Sequence, residues 1–236
     1  MSIKRMFATV AGLALVAQGA VAQSKPTVAV LPWTNSALGA ANADLAALGK
    51  GIADLLINAM AANSNIRVVE RDRIQAVLDE QKLASDGRID PQTTVRLGKI
   101  VGAHHMVTGV YITELSKNTI RLSGRVFNTE TTEVERGDFS VEGRTDALLP
   151  LVDQLAAKMN SGLNLPSIPA RDQEQHASAT KKQEKVPFQA VMLYSRALDE
   201  QDRGNKEKAV TLYRQAIAAF PAYEAPQSAL KKLEGK

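Results

Sequence analysis

Residues 68–87 read VVERDRIQAVLDEQKLASDG. Val68 and Val69 close a short β-branched run, Ile66-Arg67-Val68-Val69, which predicts a strand. Glu70-Arg71-Asp72-Arg73 then opens a helix over residues 71–83. Its Ile74, Val77 and Leu78 fall on one side, and Asp86-Gly87 ends it. A strand that passes directly into an amphipathic helix is half of a crossover, so this stretch argues for a layered α/β fold. The charged run at its centre has three readings: a solvated helix start, a partner surface or a catalytic cluster.

The flanking sequence extends the pattern. Thr27-Val28-Ala29-Val30-Leu31 is an apolar run stopped by Pro32 and reads as a buried strand. After a loop over residues 33–40, Leu45, Leu48, Ile52, Leu55, Leu56 and Met60 recur at helical spacing through residues 42–62. Asp90-Pro91 supplies an N-cap and a first-turn proline for a helix that Gly102 ends. Residues 105–113, 119–127 and 134–141 are β-prone, the last two joined by the polar turn Asn128-Thr129-Glu130-Thr131. A helix over residues 146–163 closes the unit. The order β-α-β-α-α-β-β-β-α predicts a mixed sheet covered by helices over residues 26–164.

Residues 165–187 change character. Pro166, Pro169 and Pro187 bracket a polar stretch, read as a mobile linker in which part can form a solvated helix. Two helical stretches follow, 188–202 and 206–220, joined through Gly204-Asn205, with a third over 225–233. The predicted fold is therefore an α/β domain followed by a small all-α unit over residues 188–234.

At the other end, Lys4 and Arg5 precede an apolar run over residues 7–17 and the small-x-small site Ala20-Val21-Ala22. This is the layout of a secretory signal peptide over residues 1–22, cut before Gln23. Export to the periplasm is the expectation. The formal charge is +4, and removing Lys4 and Arg5 leaves +2, too little to argue for nucleic acid. There is no cysteine, hence no disulfide, thiolate or lipid-bearing cysteine, so membrane association is expected to be peripheral at most.

Catalytic and metal patterns are thin. His104-His105 lies in a strand, where neighbours point to opposite faces and cannot chelate one ion from one side. Leu48-Gly49-Lys50-Gly51 lacks the spacing and the Lys-Ser/Thr pair of a phosphate loop and sits inside a helix, so close helix packing is its reading. No Gly-x-Ser-x-Gly or His-Glu-x-x-His occurs. The expectation is a protein without catalytic, metal or cofactor residues.

The series Val69-Glu70-Arg71, Leu78-Asp79-Glu80-Gln81, Leu97-Gly98-Lys99-Ile100-Val101-Gly102-Ala103 and Thr108-Gly109 resembles the CsgG family of curli-secretion and related envelope proteins, over residues 26–163. Val30-Leu31-Pro32 with Asn35 also fits. On the residues themselves, Glu70 is a carboxylate favoured at a helix start, and Arg71 offers a planar fork that can hold a carboxylate or carbonyl across a loop or a subunit boundary. The tail, Gly204-Asn205-Lys206-Glu207-Lys208-Ala209 through Tyr213, Ala216 and Phe220-Pro221, resembles one tetratricopeptide repeat, although Ala197 and Glu200 depart from its pattern.

Channel members of the family are lipid-anchored rings that insert β-hairpins. The absent cysteine and short strand connections depart from that. The resemblance thus implies a non-enzymatic periplasmic protein that supports assembly or export of an envelope structure by contacts with envelope proteins. A homo-oligomer is among the expected states, and a ring-forming outer-membrane secretion component is the alternative. Glu70, Arg71 and Tyr213 are the candidate interaction residues.

Overall fold

A computed structural model describes residues 25–36, 45–83, 89–183 and 185–235. The signal-peptide expectation, half of the 33–40 loop and the Asp86-Gly87 helix break lie outside these residues. Strand β1 (Thr27–Val30) runs parallel to β3 (Arg67–Val68) on one side and to β4 (His105–Glu114) on the other. The two-residue β2 (Thr34–Asn35) also pairs in parallel with β4. From β4 the sheet continues antiparallel through β5 (Thr119–Asn128) to β6 (Val134–Arg144), giving the order β3-β1-β4-β5-β6.

The apolar run at β1 is explained by burial on both faces. Val28 and Val30 join the core beneath α1 (Leu48–Ala61) and α4 (Leu148–Gly162). Ala29 and Leu31 join a second core on the opposite face, under α2 (Arg71–Glu80) and α3 (Pro91–Val101), with Met106 and Phe127. A strand with helices on both sides has no polar face, hence no alternation. The α3 start is as expected: the Thr93 N–H donates to the Asp90 carboxylate at 3.0 Å. Gly102 ends it at φ 70°, where a side chain would be strained.

The family-like glycines are places of close approach. A Cβ at Gly98 would lie 2.4 Å from the Thr129 methyl and 2.5 Å from Met106 Cγ, and one at Gly109 would lie 2.5 Å from the Trp33 ring. Each lets a large side chain settle directly on the backbone.

The second core covers only part of its face. Beyond Met106, Val110 and Ile112 share that face by strand alternation and stay 39% and 47% exposed. Ile112 pairs with Arg121, Val110 with Ser123 and Thr108 with Arg125, so on this half of the face Val110 and Ile112 form an open strip among polar neighbours that include two arginines.

The C-terminal part departs from a free module on a spacer. Residues 170–183 form α5 (Ala170–Gln183), a helix with no buried residue, as the solvated-helix reading allowed. It is not loose. The Ser64 N–H donates to Asp172 at 3.0 Å, and His176 and Thr180 both engage Asp153 of α4 at 2.9 Å. Helices α6 (Phe188–Asp202), α7 (Lys206–Ala219) and α8 (Glu224–Leu233) form the repeat-like unit. Helix α6 lies against α1, and its Ala190, Val191, Tyr194 and Leu198 belong to the same apolar cluster as Val28, Leu56 and Met159.

Candidate functional site

The contact between α1 and α6 begins with Gly49-Lys50-Gly51. The Trp33 N–H donates to the Gly49 carbonyl at 3.1 Å, and a Cβ at Gly49 would lie 1.8 Å from the Trp33 oxygen. On the other side, a Cβ at Gly51 would lie 1.9 Å from the Ser195 hydroxyl of α6. The packing reading of this segment therefore holds, and the two glycines present Lys50 to α6. Its ammonium sits 2.9 Å from Asp199 and 2.8 Å from Asp202. Lys50, Asp54 and Asn58 are spaced four apart, so they form a polar stripe along α1.

The fork of Arg71 finds its carboxylate inside the chain. Its Nη1 donates to Asp202 Oδ1 at 2.7 Å and its Nη2 to Asp72 at 3.1 Å, while Nε lies 3.9 Å from Asp54. Burial works against the guanidinium charge, but Asp202 beside it outweighs that and holds the pKa above its ordinary value. Asp202 is thus clamped between cations from α1 and α2. Glu70 lies at the rim, 79% exposed, 3.3 Å from Lys232 of α8, which also meets Asp72 at 2.8 Å. Burial pulls the Asp72 pKa up, and Lys232 and Arg71 overcome it and hold it below the usual carboxylate value. Asp54 is the opposite case. Burial raises its pKa despite the hydrogen bond that the Tyr194 hydroxyl donates at 2.6 Å.

Tyr213 is fully buried between α6 and α7, donates to Gln201 at 2.7 Å, and packs on Tyr194 with ring centroids 5.9 Å apart. Burial pushes its hydroxyl pKa well up. The three candidate residues, 143 positions apart in sequence at their extremes, line one cleft of about 470 Å³. Helices α1, α4, α5, α6, α7 and α8 bound it, with the α2 N-terminus at one end. Sequence reasoning missed Lys50, Asp54, Asp153, Asp199, Asp202 and Lys232. Only the four-residue spacing of Lys50 and Asp54 and the paired glycines marked any of them.

The two histidines go to separate partners: the Thr27 N–H donates to His104 Nδ1 at 2.9 Å, and His105 Nδ1 lies 2.7 Å from Glu135.

The family model described as curli production assembly/transport component CsgG matches residues 9–217. The chain belongs to the CsgG family. CsgG-family proteins are non-catalytic assembly and transport components. No curated protein is a significant match. Among solved structures, the LpoB C-terminal domain from Salmonella enterica is 18% identical, covering 51% of this chain and 82% of its own, at a TM-score of 0.38. Lipoprotein GNA1162 from Neisseria meningitidis is 13% identical over 60% and 99%, at 0.39. The PelC dodecamer from Paraburkholderia phytofirmans is 14% identical over 61% and 91%, at 0.36. At these TM-scores the likenesses are partial.

One site contact depends on pH. The Asp153 carboxylate accepts from His176 and holds the imidazole pKa above 6.5 against burial. Its stabilisation of α5 is complete below 6.5 and is lost as pH rises through the raised folded value. Both groups are partly exposed, so the pair contributes about 0–1 kcal/mol. Amide exchange in α5, corrected for intrinsic rate, should therefore speed up as the pH is raised from acid to alkaline of that value. The same rise should be absent in His176→Gln. Equal pH profiles for the two proteins would show that the pair does not hold the helix.

Proposed function

We propose that this CsgG-family chain is a ring-forming secretion component at the outer membrane, exported to the periplasm, whose protomers meet through the uncovered half of the β4–β6 sheet. Of the two functional readings drawn from sequence, the family description favours transport over a free adaptor. Among the described residues, no helix is long and apolar enough to cross a membrane. Strands β4, β5 and β6 have 10, 10 and 11 residues, the length of a spanning strand, which takes about 9–11. One face of these strands is already occupied by α1 and α4, so they serve the domain sheet, and membrane contact falls to other segments or partners.

The observation that carries the reading is the open strip of Val110 and Ile112 among polar neighbours that include Arg121 and Arg125. An apolar sheet face beside a long unpaired edge strand is a natural seat for another protein surface. Ile112→Glu is the test. It should dissociate the assembly in sedimentation velocity. Thermal stability should stay within about 0.5 kcal/mol, as expected for an exposed site. An assembly of unchanged size in this variant would rule out the face, and a wild-type monomer throughout would rule out the ring. Fractionation of cell envelopes checks the location separately.

A further inference from the structure

The cleft between α1, α5 and α8 has no part in that reading, since it lies on the α1 and α4 side of the sheet, opposite the open strip. We propose that it is a receptor for a short extended segment of a partner protein in which basic and apolar side chains alternate.

Its volume of about 470 Å³ falls within the range of about 300–1,000 Å³ typical of ligand sites. Much of the apolar lining comes from Leu55 and Ile57 of α1, Leu149 and Val152 of α4, and Ala225 and Ala229 of α8. The charge on the same lining is one-sided. Five carboxylates, Asp54, Glu70, Asp72, Asp153 and Glu224, face two fixed cations, Arg71 and Lys232, and one titrating imidazole, His176. Both cations are committed. Arg71 is held by Asp202 behind the lining, and Lys232 is shared by Asp72 and Glu70. Glu224 has no ion pair among the described residues, and Asp153 meets only the His176 ring and the Thr180 hydroxyl. Beside the lining residue Tyr194, the fully buried Tyr223 hydroxyl has no hydrogen-bond partner among the described residues. Apolar side chains on the floor and ammonium groups at Asp153 and Glu224 satisfy this arrangement together; either alone leaves half of it unused.

Helix α5 gives the cleft a wall that yields. It buries no residue and is tied at this point to Asp153, through His176 and Thr180, and to the α8 start, where the Glu224 N–H donates to Gln183 at 3.3 Å. An incoming ammonium competes with His176 and Thr180 for one carboxylate, so seating the segment and loosening α5 are one event.

The test uses the mature full chain and fluorescein-labelled Lys-Leu-Lys-Leu-Lys-Leu, followed by anisotropy. This peptide should bind, while Glu-Leu and Lys-Ser repeats of equal length bind at least about tenfold more weakly, as does the Lys-Leu probe to the Asp153→Asn, Glu224→Gln double variant. Ser228→Trp, at an exposed position on the cleft wall, should abolish binding with the circular dichroism spectrum unchanged. If the Lys-Ser peptide binds as well as Lys-Leu, the effect is surface charge and the receptor reading is wrong. Undiminished binding to a folded Ser228→Trp chain places the peptide elsewhere and overturns it as well. Sedimentation of these variants should match wild type, so failure here is separate from failure of the ring assignment.

Discussion

Replacing Asp202 with alanine should destabilise the fold by about 3–5 kcal/mol, the range for breaking a buried ion pair from one side. The Asp202 side chain is 4% exposed and serves two cations, Lys50 at 2.8 Å and Arg71 at 2.7 Å. Lys50, itself 6% exposed, would keep only Asp199, and Arg71 would keep Asp72 and a distant Asp54. Two desolvated cations facing one vacated position cost more than the lost contacts alone. For a fold whose total stability falls in the usual 5–15 kcal/mol range, about half could go. Asp202→Asn keeps two polar atoms in place and should cost less. Asp72→Ala, at a side chain 43% exposed, should cost under about 1 kcal/mol. Urea denaturation followed by circular dichroism orders the three. A loss below about 1 kcal/mol for Asp202→Ala would mean that water reaches the clamp and that the helical tail is not held by it.

The clamp also shows where sequence reading reaches its limit. The α/β part was legible because its signals are local. The β1 run, the Asp90-Pro91 start, the Gly102 stop and the direct step from Val69 into α2 each depend on neighbours within a few positions. The reading of Gly49-Lys50-Gly51 as packing rather than phosphate binding was legible for the same reason, because a glycine pair inside an amphipathic helix has no row of free amides to offer. What these glycines pack against was not legible. Ser195 and Asp202 are more than 140 positions away, and no spacing rule connects them to α1. The charged run at Glu70-Arg71 was read as open between solvation and a contact across a boundary. The structure divides it, with Glu70 at the exposed rim and Arg71 on a carboxylate of the same chain. Residues 165–187 read as a linker because the proline-bracketed polar stretch has no apolar periodicity to mark a docking face. Helix α5 docks without one, through His176, Thr180 and Asp172, and polar ties of that kind leave no pattern in a sequence.

Ala209→Glu tests whether the tail is a unit of its own. Ala209 is fully buried on α7 facing α6, beside Tyr213 and Ala216. A carboxylate there has no partner, and its burial commonly costs several kcal/mol. An independent repeat on a flexible linker would lose its own structure and leave the α/β domain at its wild-type melting temperature. The packing argues for a different result. Helix α6 is a layer shared by both parts. One side receives α7, and the other meets α1 through Ser195 on Gly51, Tyr194 on Asp54 and the Lys50 pair. Its apolar residues continue the cluster that underlies the sheet. Displacing α6 therefore uncovers Gly51 and the buried Lys50 of α1 at once. Calorimetry should show one transition, lowered by about 2–4 °C for each kcal/mol lost. Limited proteolysis should cut within residues 171–185 without releasing a stable fragment that carries Phe188 onward. Two separated transitions in the variant, the upper one at the wild-type temperature, would instead mean that the α1–α6 contact is too weak to couple the halves, and the clamp at Asp202 would then have to be read as a latch on a detachable module.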